Sequence, residues 1–98
     1  MKRTFAVIRS HGPAWQSSIA LEEQMEWPAH ASFMDALSDD GFVVLGGPLE
    51  GTSNVLLIMR AESPEEIVQR LEKDPWTGIG LLVVQQIWPW TVRLGTVP

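Results

Sequence analysis

The chemistry available to this chain centres on two histidines, His11 and His30, because it has no cysteine and so no thiolate nucleophile, disulfide or cysteine-ligated metal. An imidazole works best as a general base when a carboxylate fixes its tautomer and stabilises the imidazolium it becomes. Asp35 cannot serve His30 in this way, since five residues along a helix turn it about 140° away around the axis. Asp74, distant in sequence, can. His30 and Asp74 are therefore the candidate catalytic pair, and His30→Ala or Asp74→Asn is expected to abolish turnover with the fold intact. Each residue also has a plainer use. Asp74 precedes Pro75, where aspartate caps a helical turn on its own, and a lone helical histidine is often satisfied by backbone groups. Both readings stay open at the level of sequence.

The candidate substrate-binding residues are Arg9, Ser10 and His11, the run Gly46-Gly47-Pro48, and Trp76. His11 also reads as an ordinary loop residue. The glycines turn the chain, and they also let a ligand approach backbone N–H groups. Trp76 can wall an apolar pocket beside Asp74. Two histidines nineteen positions apart without cysteine form no metal-site pattern, so no metal is expected. No G-x-S-x-G elbow, P-loop or G-x-G-x-x-G is present.

The elements that must position these residues follow from periodicity. Residues 3–9 read as a strand, with Phe5 and Val7 on one face and Ala6 and Ile8 on the other. Residues 14–27 read as loop or a short helical turn. Pro28 favours a helix starting at Trp27 or Pro28, running to about Asp40 with Ala29, Phe33, Met34 and Leu37 on its apolar stripe and Gly41 at its C-terminal cap. Phe42–Leu45 reads as a strand entering a turn at Gly46-Gly47-Pro48, and Val55–Met59 as the next strand. Ser63-Pro64-Glu65-Glu66 is a capping box opening a helix over about 64–73, with Ile67, Val68 and Leu71 inward. Residues 81–87 complete the pattern as a last strand.

The order βαββαβ predicts an α+β, ferredoxin-like domain over residues 1–98: a four-stranded antiparallel sheet with two helices on one face. That topology gathers the end of the first strand, the start of the first helix, Gly46-Gly47-Pro48 and Asp74-Pro75-Trp76 at one edge. Arg60 and Asp40 lie at the other. The strands are apolar on both faces while the helices cover only one, so a homodimer packed sheet to sheet is expected. With seven basic and twelve acidic residues the net charge is −5, the wrong sign for tracking a phosphate backbone, and nucleic acid is not an expected partner. No apolar run is long enough to span a membrane, and Arg9 stops the first one too early for a signal segment. A cytoplasmic location is expected.

The chain resembles the YCII-related family of the dimeric α+β barrel superfamily. The resemblance rests on Pro28-Ala29-His30, Gly41, Gly46-Gly47-Pro48-Leu49, and Asp74-Pro75-Trp76 followed by Gly80. It implies a ferredoxin-like fold dimerised through its sheets, with a pocket centred on His30 and Asp74. Superfamily relatives include muconolactone isomerases and a dehydrochlorinase of chlorinated hydroquinones, which implies a cofactor-free isomerase or dehydrohalogenase/lyase acting on a small apolar or aromatic molecule. The alternatives are a noncatalytic dimeric ligand-binding module and a cofactor-free monooxygenase. The segment 14–27, with Trp15 and Trp27, departs from the family pattern and bears on substrate class.

Overall fold

The computed structural model describes residues 1–97. Its strands are β1 (Arg3–His11), β2 (Val43–Pro48), β3 (Asn54–Ala61) and β4 (Leu82–Pro89), and its helices α1 (Trp27–Asp39), α2 (Pro64–Leu71) and α3 (Pro75–Gly78), with a 3-10 turn at Leu21–Glu23. The sheet order is β2-β3-β1-β4, antiparallel throughout, as the ferredoxin-like plan requires. There are three helices rather than two, because Asp74 and Pro75 start a turn of their own.

Alternation along β1 divides the sheet. Phe5 and Val7 face the helices and join Val43, Leu57, Met59 and Ala61 in a core closed by Leu37, Phe42, Ile67 and Leu71. Ala6 and Ile8 point the other way, opposite Ile58 and Leu56 on β3, with Trp88 of β4 beside Ala6. Ile58 is shielded at the edge of a shallow cleft shared with Trp88, Pro89 and Trp90. The rest of this second face stays partly open, and Trp88 is 60% exposed. The register between β1 and β4 shifts between Ile8 and Arg9, leaving an extra residue on β4. Such bulges re-aim side chains, and this one lies beside Arg9.

In α1 the inward stripe is His30, Phe33, Met34 and Leu37, with Ala29 exposed. The stripe differs from the expected one only at its first member, where His30 rather than Ala29 turns inward. In α2, Ser63 Oγ accepts the Glu66 N–H at 3.1 Å, while Val68 is 39% exposed rather than inward, because the stripe narrows to Ile67 and Leu71. Gly41 takes φ +82° after α1, where a left-handed cap is needed. Gly46-Gly47-Pro48 belong to β2 and not to a turn. β2 is an edge strand, which tolerates proline, and the reversal comes later, where Leu49 N–H donates to Asn54 O at 2.9 Å. Among the described residues no helix is long and apolar enough to cross a membrane.

Candidate active site

Asp74 stands at the N-cap of α3, and its Oδ1 accepts the Trp76 N–H at 2.9 Å. The same carboxylate reaches His30, whose Nδ1 lies 2.9 Å from Oδ1 and 3.0 Å from Oδ2. Capping and imidazole orientation, which the sequence left as rivals, coexist. A third donor, Arg9 Nη1, meets Oδ2 at 2.8 Å, and Arg9 Nη2 donates to Thr77 Oγ1 at 2.9 Å. Thr77 Oγ1 passes the connection on to Leu71 O at 2.7 Å. Arg9 and Asp74 are each 1% exposed and His30 8%.

Burial is the largest influence on Asp74 and opposes its ionisation. The hydrogen bonds from His30, Arg9 and the Trp76 N–H together outweigh it, so the carboxyl sits below its ordinary pKa. An ionised carboxylate only accepts hydrogen bonds, so Nδ1 of His30 must carry a proton, and the neutral ring then holds its lone pair on Nε2. Among the described residues Nε2 has no hydrogen-bond partner. Arg9 Nε is buried and likewise unpartnered.

Aromatic rings fix the imidazole from the side. Trp76, fully buried, stacks on His30 with centroids 3.8 Å apart and planes 5° apart, and its Nε1 donates to Met25 O at 2.6 Å. Trp27 and Trp15 lie against Trp76 at 5.7 and 5.6 Å. His11 stacks on Trp15 at 3.7 Å, and burial lowers its pKa, which keeps it neutral over a wider pH range.

His30 opens onto a cavity of about 680 Å³, within the usual range for a small-molecule site. Its apolar lining includes Trp15, Leu21, Trp27 and Met34, and Gly46, Gly47 and Pro48 of β2 border it together with His11. Ser10 does not belong to it. Strand alternation turns Ser10 to the other face, where its Oγ accepts from Gln85 Nε2 at 2.9 Å. Arg9 borders the cavity, yet its guanidinium is spent on Asp74 and Thr77, so it supports the pair rather than offering a free hand to a ligand. Trp76 backs the imidazole and likewise leaves little surface for contact. Thr77 and Gln24 were not foreseen; neither residue type carries a signal that survives without the fold. A cavity of similar volume, about 620 Å³, lies by Thr4, Ser38 and Arg60 under the C-terminal tail. Among the described residues no comparable acid–base pair lines it, so chemistry rather than volume selects the His30 site.

The chain is similar to a solved structure of 5-chloro-2-hydroxyhydroquinone dehydrochlorinase (TftG) from Burkholderia phenoliruptrix AC1100, in complex with 2,5-dihydroxybenzoquinone. The two share 26% identity over 90% of this chain and 93% of the other, with a TM-score of 0.68. A search of curated proteins returned no match. The family model of the YCII-related domain matches residues 4–91, and the chain belongs to that family.

Proposed function

We propose that this protein is an acid–base enzyme of isomerase or dehydrohalogenase/lyase type, in which His30 moves a proton on a small, flat, apolar or aromatic molecule and Asp74 orients it. The observation that carries this reading is a buried, charge-balanced carboxylate holding Nδ1 of an imidazole whose Nε2 is unengaged beside an aromatic-lined cavity. Nε2 takes a proton from a carbon or hydroxyl of the substrate while Asp74 stabilises the imidazolium. The electron pair left behind either expels a leaving group such as chloride or is reprotonated at a second carbon by the same imidazolium. The neighbour's name and its bound dihydroxybenzoquinone support a ring substrate. The fold alone would not, since one fold hosts many reactions.

The test uses chlorinated and unchlorinated hydroxyhydroquinones, with chloride release and ring absorbance as readouts. Wild type is expected to turn over at least one of them, and His30→Ala to lower kcat by about 100- to 10,000-fold while remaining folded, with a melting temperature lowered by the lost Trp76 stack and Asp74 hydrogen bond. Equal rates in wild type and His30→Ala across the panel, with ring binding retained, would replace this reading by a noncatalytic ligand-binding module.

The expected assembly is a homodimer through the sheet. Its support is the second face, where Ala6, Ile8 and Leu56 lie without a covering element and Trp88 is largely exposed.

A further inference from the structure

The segment between β1 and α1 has little regular structure; besides the local turn at Ala20–Glu23, one buried polar side chain ties its two ends together. Gln24 is 3% exposed. Its Nε2 donates to Gln16 O at 2.7 Å and, more weakly, to Ile19 O at 3.4 Å, while its Oε1 accepts the Gln16 N–H at 3.2 Å. Both ends of one carboxamide are therefore committed to backbone eight residues upstream. The far end of the loop is anchored independently: Trp27 N–H donates to Gln24 O at 3.2 Å, and Met25 O receives Trp76 Nε1. Glu26 follows at φ 63°, alone among the described non-glycine residues in taking a positive φ, a strained backbone that the surroundings must hold. The near end, Gln16, has apart from Gln24 only a long 3.4 Å bond from Ile19 N–H to its carbonyl.

What the loop carries matters for the cavity. Trp15 immediately precedes Gln16, and Leu21 sits in the 3-10 turn inside the loop. Both pack on the Trp76, Leu81 and Leu82 cluster and line the cavity beside His30. A loop whose ends are drawn together by its own side chain behaves as a closed unit, and removing the carboxamide leaves the Gln16 backbone groups unpaired or hydrated.

We propose that Gln24 is a specificity-determining positioning residue: by clasping Gln16 it closes residues 16–24 into one unit, which sets Leu21 on the cavity wall next to Trp15, itself held by Gly12 O and the His11 ring. The ring ligand rests on the function proposed above; the clasp does not. The experiment compares wild type, Gln24→Ala and Gln24→Met, the last keeping volume while removing both hydrogen-bonding ends. Amide hydrogen exchange is measured on the ligand-free proteins, and binding of 2,5-dihydroxybenzoquinone is measured by calorimetry. Exchange over 16–24 is expected to rise in both variants while β1 and β3 stay protected. Kd for the quinone is expected to rise about tenfold, the scale of losing the contact of one buried apolar side chain.

Unchanged exchange over 16–24 overturns the proposal, as does an equal rise over β1 and β3, which would make Gln24 a general fold residue. Faster loop exchange with undiminished quinone affinity overturns its role in specificity. A wild type that binds no quinone counts instead against the ring-substrate reading, and the clasp is then decided by the exchange result alone.

Discussion

Asp74 accepts hydrogen bonds from a backbone N–H, an imidazole and a guanidinium, so its replacement removes three functions together. Asp74→Asn leaves the Arg9 charge buried without its counter-ion, which typically costs about 3–5 kcal/mol. The expectation that this substitution spares the fold therefore does not carry over to the structure; His30→Ala, which keeps the Arg9–Asp74 ion pair, is the gentler test of the proposed proton transfer. The depressed pKa of Asp74 also has a defined pH signature. Its stabilising contribution is complete above the unfolded value of about 3.9 and is lost as pH falls through the lower folded value. Urea midpoints of wild type and Asp74→Asn, measured down to pH 2, should converge as pH falls below about 4. A gap independent of pH would show that the ionised carboxylate is not what stabilises the fold. Arg9 was legible as a residue near the site but not as a buried partner of Asp74, because burial of a guanidinium depends on what packs over it. The misassignment of Ser10 was avoidable: Arg9, Ser10 and His11 are consecutive in a strand, and alternation forbids all three from facing one cavity.

The elements were easier to read than their ends. Hydrophobic runs and the caps at Ser63 and Gly41 located strands and helices closely, since each signal is local to a few residues. β2 ran longer than expected because Gly46-Gly47-Pro48 has turn composition, and only its place at the sheet edge explains how it continues as strand. Gly46 has a steric role there. A Cβ on it would lie 2.5 Å from Leu57 Cδ2 and 3.0 Å from Leu56 O, so Gly46→Ala should push β2 off β3 and destabilise by about 1–3 kcal/mol, read as a lower melting temperature. Gly47 has open space at the same point, and Gly47→Ala is the matched control, expected to melt near wild type. Equal losses in both would mean that backbone freedom, not the contact with β3, is what these glycines provide.

At the scale of the molecule, strand order and the sidedness of the sheet were implied by the sequence of elements, whereas the aromatic wall was not, because residues 14–27 obey no periodicity. Wild type is expected to sediment at twice 10.9 kDa, and Ile8→Lys, on the face away from the helices, to sediment as one copy with the His30 cavity intact. A wild type that sediments as a single 10.9 kDa particle at every concentration would rule the dimer out. One feature of the topology also governs when the His30–Asp74–Arg9 cluster can form. Arg9 and His30 meet Asp74 across 65 and 44 positions, and the central strand β1 needs β3 and β4 as neighbours. The nascent polypeptide thus has no partial version of its site: until translation has carried α3 clear of the ribosome, Arg9 and His30 lack the carboxylate that joins them.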